Sequence, residues 1–125
     1  MAQGATVALP VVVAKNEPLE FRRWEPHTKM ALGPLEIPYP AEGEVVQPQA
    51  FLISLLGFDD AGYRLGYGAG YYDRTLARYD PKPLTIGVGF ELGRLPTIHP
   101  QPHDIPMDFI VTETGVRDHR RHTAP

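Results

Sequence analysis

Three alternating glycines lie between charged and aromatic residues in the stretch Arg64-Leu65-Gly66-Tyr67-Gly68-Ala69-Gly70-Tyr71-Tyr72-Asp73-Arg74. A phosphate needs positive charge, a magnesium ion needs carboxylate oxygen and a planar ring needs an aromatic face. All three are supplied within the eleven residues from Arg64 to Arg74. Glycine costs backbone entropy, so such a cluster has a cause. One cause is a plain turn. The other is close approach of the main chain to a ligand, where successive N–H groups make a concave anion site beside a helix start. Two familiar phosphate fingerprints do not fit. The pattern G-x-G-x-x-G fails, because its third glycine would fall on Tyr71 or Asp73. The P-loop fails because Tyr63-Arg64 follows Gly62 where Lys-Ser/Thr is required.

These residues need a strand before them and a helix after them. Phe51 to Leu56 is apolar apart from Ser54, which predicts a central parallel strand covered on both faces. Tyr72, Leu76 and Tyr79 recur at helical spacing, and Pro81 and Pro83 end that helix. Ala5 to Ala14 reads as a buried strand in which Pro10 marks an end or a bulge. Glu20 to Trp24 alternates weakly, as an exposed strand would. Leu84 to Phe90 and Met107 to Thr112 complete a set of about five strands. The expectation is an α/β fold: a small, open, mostly parallel sheet flanked by short helices. It forms one domain over residues 1–116, and 117–125 is a frayed tail without apolar pattern.

Composition narrows the classes. A chain of 125 residues with 42% hydrophobic content can bury a core. Zero cysteines exclude disulfides and thiolate metal sites, which suits a cytoplasmic setting. No apolar run reaches membrane-spanning length, and a net charge of −3 without a basic stripe argues against nucleic acid as a main partner. His99 and His103 have zinc-like helical spacing, but Pro100 and Pro102 forbid the helix. Asp59 and Asp60 read as a turn, and Asp108 and Glu113 as exposed strand flanks.

The run from Arg64 to Arg74 resembles the signature of the 5-formyltetrahydrofolate cyclo-ligase family, also called 5,10-methenyltetrahydrofolate synthetases. Gly57-Phe58-Asp59 and Gly62 resemble its lead-in, and Leu35-Glu36-Ile37-Pro38-Tyr39-Pro40 resembles its Ile-Pro-x-Pro segment. Ala5 to Pro10, Ile86 to Phe90, and His103-Asp104 with Met107 to Glu113 follow in family order. Two positions depart from it: Tyr39 stands where relatives have Glu or Gln, and Ser54 where they commonly have Pro. The resemblance also implies a helical N-terminal region with basic, nucleotide-contacting residues ahead of the first strand. Here that strand begins a few residues after Met1, so the expectation is a fold truncated at the N-terminus or a misassigned start.

The resemblance implies ATP-dependent ring closure of 5-formyltetrahydrofolate to 5,10-methenyltetrahydrofolate, with ATP as co-substrate and Mg2+ as cofactor, in a cytoplasmic monomer or weak oligomer. Arg64, Leu65, Gly66, Tyr67, Gly68, Ala69, Gly70, Tyr71 and Tyr72 would then bind nucleotide. Arg64, with Arg74 as a second cation, would balance phosphoryl charge, and Tyr71 or Tyr72 would face the formyl group or the pteridine. Asp73 and Asp104 would hold magnesium, although Asp104 equally suits a cap on its own turn. Trp24 could stack on a pteridine or simply pack. The competing expectation is a non-catalytic truncated relative that binds only nucleotide or polyanion.

Overall fold

Branched and aromatic residues crowd the segments that pair as strands, while proline and glycine close most of them. The computed structural model describes residues 5–33, 37–66, 71–79, 81–102 and 104–120. It falls into two compact units, Met1–Pro48 and Gln49–Pro125.

The first unit is built from two antiparallel pairs. β1 (Val7–Val11) pairs with β2 (Glu20–Trp24), and β3 (Met30–Leu32) pairs with β4 (Pro38–Pro40). Val11, Phe21 and Pro40 are buried, whereas Val7 and Val13 are exposed. The buried first strand expected from the sequence is therefore a half-exposed hairpin arm. Pro10, expected at an end or bulge, sits one residue before the strand end, in register with Phe21. Having only one neighbour, β1 keeps an open edge that needs no donor from proline. Arg22 lies over the Tyr39 ring, 5.7 Å from its centroid, and donates to the Pro40 carbonyl at 3.1 Å.

In the second unit, β5 (Ala50–Ser54), β6 (Gly57–Asp59) and β7 (Arg64–Leu65) precede helix α1 (Tyr71–Leu76). β8 (Leu84–Val88), β9 (Arg94–Leu95), β10 (Phe109–Thr112) and β11 (Gly115–Asp118) follow. The main sheet has the order β11-β10-β8-β5. β5, β8 and β10 are parallel, and β11 turns back antiparallel to β10. The result is an open mixed α/β sheet. β5 is an edge strand of this sheet, not the central one predicted, and its Leu52 is 73% exposed. Arg117 and Asp118, placed in a frayed tail by the sequence pattern, close β11 against Ile110 and Phe109. The reason is local: a turn after Thr112 lets this polar strand borrow the free edge of β10.

One face of the sheet carries the core. Ile53, Gly87 and Ile110 lie side by side in register, and Ile53 and Ile110 are fully buried. Leu55 and Met107 close over Gly87, where an added Cβ would come within 2.6 Å of Leu55. Packing of side chains, not a ligand, therefore explains that strand glycine. Helix α1 lies on this face through buried Thr75 and Leu76, with Tyr72 and Tyr79 edge-on to Phe51. A helix of six residues is not stable alone, so this burial, about 1.5–3 kcal/mol for Leu76, holds it. The sequence predicts helix to Tyr79. Beyond Leu76 the chain tightens, with Arg78 and Tyr79 amides donating to Thr75 and Leu76 carbonyls before Pro81. Asp108 is not the exposed flank expected: it accepts from Lys82 and the Thr85 amide, tying the start of β8 to that of β10.

Candidate functional site

The site begins with a turn that presents Arg64. β6 is buried throughout and pairs antiparallel with β7 and parallel with β9. At its end Asp59, only 3% exposed, turns its carboxylate onto the backbone. Oδ1 accepts from the Ala61 and Tyr63 amides, both at 3.1 Å, and Oδ2 from the Ile98 amide at 3.2 Å. An acidic residue that satisfies its own turn is the role read from the sequence. Asp60, beside it, forms a bidentate pair with Arg94 at 2.9 and 3.1 Å. The hydrogen bond from Arg94 holds the Asp60 carboxyl below the usual carboxylate range.

Arg64 then points inward, its side chain 8% exposed. Its guanidinium carbon lies 5.5 Å from the centroid of the Tyr72 ring, a cation–π arrangement. Nη2 stands 3.8 Å from Asp73 Oδ2, close enough for charge attraction but beyond a hydrogen bond. Among the described residues, Arg64 Nε is buried with no hydrogen-bond acceptor. Buried guanidinium donors are normally satisfied, so this N–H fits an acceptor from beyond the described residues. Gly66 completes the arrangement, because a Cβ there would collide with Arg64 Nη1. Any side chain at 66 would push the guanidinium aside.

Tyr72 and Asp73 come from the first turn of α1. Burial pushes the Tyr72 phenol above its ordinary value, with Arg64 opposing the shift, so it remains a neutral hydroxyl at physiological pH. Asp73 Oδ1 accepts one long bond, 3.4 Å, from the Ile105 amide. That bond brings the turn containing Asp104 to the start of α1. Asp104 Oδ2 accepts from the Gln101 amide at 2.7 Å, and its own amide donates to the Gln101 carbonyl at 2.9 Å. Asp104 thus caps its own turn on a segment that adjoins Asp73. Neither the Ile105 nor the Ile98 contact has a side-chain signature, because both donors are main-chain amides.

The remaining candidates divide by location. Leu65 pairs with Gly57 and is exposed. Tyr71 is half-buried, its carbonyl accepting from the Thr75 hydroxyl at 2.6 Å. Tyr67, Gly68, Ala69 and Gly70, the heart of the expected cradle, lie outside the described residues, as does His103. Trp24 ends β2 in register with Val7 in the first unit. Among the described residues no group of three or more His, Cys, Asp or Glu is placed to share a metal ion. Two carboxylates suit magnesium, which commonly takes one or two and completes its shell with phosphate and water. No described helix is long and apolar enough to cross a membrane.

The chain is similar to known proteins in sequence and fold. A 5-formyltetrahydrofolate cyclo-ligase from Mycolicibacterium smegmatis is 36% identical over 120 residues, covering 87% of this chain and 60% of that protein. The mouse 5-formyltetrahydrofolate cyclo-ligase is 30% identical over 125 residues, with coverages of 89% and 62%. The NMR structure of Aquifex aeolicus 5,10-methenyltetrahydrofolate synthetase superposes with a TM-score of 0.77 at 37% identity, covering 94% of this chain and 60% of that one. The 5,10-methenyltetrahydrofolate synthetase of Mycoplasma pneumoniae follows at 0.67 and 26%. The chain therefore spans about 60% of the length of the relatives it matches. With the model of the 5-formyltetrahydrofolate cyclo-ligase family matching residues 1–113, the chain belongs to that family.

Proposed function

We propose that the chain carries out the ATP- and magnesium-dependent conversion of 5-formyltetrahydrofolate to 5,10-methenyltetrahydrofolate, releasing ADP and phosphate. The observation that carries this reading is the buried Arg64 guanidinium, stacked on Tyr72, 3.8 Å from Asp73 and, among the described residues, with no acceptor for Nε. A cation held this way is prepared for an anion that arrives with substrate.

The chemistry needs little more than charge and position. An N-formyl carbonyl is a poor electrophile, and its oxygen is a poor leaving group. Transfer of the γ-phosphoryl group to that oxygen, with ADP leaving, activates the carbon. N10 of the folate attacks, loses its proton, and phosphate departs as the cyclic amidinium forms. No covalent enzyme intermediate is required. Arg64, supported by Arg74, neutralises the transferring phosphoryl group. The main chain of residues 66–70 cradles the triphosphate. The neutral Tyr72 hydroxyl can donate to the formyl oxygen, and Tyr71 lines the pteridine side. Asp73, with Asp104 on the adjoining turn, would hold magnesium, which would supply charge neutralisation to the phosphates. A cytoplasmic monomer or weak oligomer fits this role.

A second reading rests on length. Spanning about 60% of its relatives, the chain can hold the nucleotide side of the site without the whole folate cleft. It would then bind nucleotide and not turn over. Formation of methenyltetrahydrofolate, followed by absorbance with ATP and magnesium, separates the two. Turnover establishes the enzyme, nucleotide binding without turnover the second reading, and neither removes both.

A further inference from the structure

The glycine loop has two stems, and one short segment holds both. On the near stem, the Met107 amide donates to the Gly62 carbonyl at 2.8 Å. On the far stem, the Ile105 amide donates to Asp73 Oδ1 at 3.4 Å. Pro106, between them, has no N–H to give, and a residue before proline favours an extended backbone. Gly62 stands two positions before Arg64, and Asp73 Oδ2 lies 3.8 Å from the Arg64 guanidinium. Residues 105–107 therefore tie the turn that presents the cation to the carboxylate that faces it.

That segment is itself held by the residue that follows β11. The His119 amide donates to the carbonyl of Asp108, the neighbour of Met107, at 2.8 Å. The His119 side chain is buried and lies against Gly62. A Cβ on Gly62 would come within 2.8 Å of His119 Cγ and 3.0 Å of His119 Cβ. These atoms are the root of the side chain, so the imidazole could not swing aside to make room. Gly62 also takes a φ of +91°, which glycine adopts without strain. The turn is thus fixed at one residue from two directions, its carbonyl by Met107 and its Cα by the histidine. We infer that His119 is a positioning residue for the reaction proposed above: wedged on Gly62, it sets the turn that aims Arg64 at Tyr72 and Asp73. It acts through that turn and not on the substrate. Only its consequence for turnover rests on the proposed reaction.

The readout is the Arg64 Nε–H of the full 125-residue chain, assigned with Arg64→Lys and followed by NMR hydrogen exchange. It needs neither nucleotide nor folate. His119→Ala should speed exchange of that proton by at least about fivefold in the folded chain, because the turn is released. His119→Asn keeps Cβ and a planar Cγ against Gly62 and should stay within about twofold of the parent. Ile110→Val loosens the core beside Gly87 and controls for general destabilisation; it too should stay within about twofold. Where the chain turns over, His119→Ala should lower kcat by about tenfold and change KM for ATP by less than about twofold. Unchanged Nε–H exchange in His119→Ala overturns the inference, as does an equal acceleration in His119→Asn or Ile110→Val. Should His119→Ala not fold, His119→Leu, whose Cγ is branched, takes its place under the same criteria. Exchange that responds in a chain that never cyclises folate removes the proposed reaction and keeps the wedge. Turnover with indifferent exchange does the reverse.

Discussion

Two acidic residues flank Arg64, and they behave differently. Asp59 is buried, and its two oxygens accept three amides at 3.1–3.2 Å, two from its own turn and one from Ile98. Asp73 lies at the entry of α1 with one long amide contact and a guanidinium at 3.8 Å. The first carboxylate has its bonding capacity filled by the fold. Among the described residues, the second keeps capacity in reserve, next to a cation that also has a donor in reserve. Sequence proximity to a glycine loop is common to both. What distinguishes structure from function is how many hydrogen bonds the chain already supplies.

Three substitutions sharpen or break this contrast. The largest effect is expected at Arg64: Arg64→Ala should lower kcat/KM for cyclisation by about a hundredfold to a thousandfold, as loss of a transition-state charge contact does. Steady-state kinetics with ATP varied checks it, and a loss under about threefold would show that the cation serves packing. Next comes Asp59→Ala, which leaves three amides without their acceptor. It should destabilise the fold by about 3 kcal/mol in urea unfolding; a neutral result would deny that the turn depends on its carboxylate. The smallest effect is at Glu91. The Thr112 hydroxyl, then Thr114 and Arg117, hold its carboxyl below the usual range. A lowered folded value means that the stabilisation is present above the ordinary carboxylate pKa and is lost as pH falls through the lowered one. Glu91→Gln should therefore slightly reduce stability near neutrality and flatten the acid side of the stability–pH curve. An unchanged acid limb would show that the Thr112 and Arg117 contacts do not persist in solution.

Much of this was legible in the residues. The order strand, Asp turn, Arg64, glycines, short helix and Asp73 follows from composition and spacing. So does the turn role of Asp59, because aspartate two and four residues before free amides closes such a turn. The sheet's edges were not legible. Phe51 to Leu56 reads as a central strand because an apolar run looks the same whether its second face is covered by this chain or left open. Leu52 is apolar in either case, and only the register places β5 at the edge. The hairpin arm β11 was missed because Gly115 to Asp118 has one apolar residue, and its pairing derives from β10. The link between Asp73 and Ile105 was missed because its donor is backbone, which no residue type announces.

The central claim is that Asp73 is held for a ligand while Asp59 is held for the fold. Magnesium-ATP titration by calorimetry, with urea unfolding of the same samples, tests it on Asp73→Asn. The expected result is nucleotide affinity weakened by about tenfold or more in the presence of magnesium, with stability changed by less than about 1 kcal/mol. Unchanged Mg-ATP affinity, or a stability loss matching that of Asp59→Ala, would contradict it.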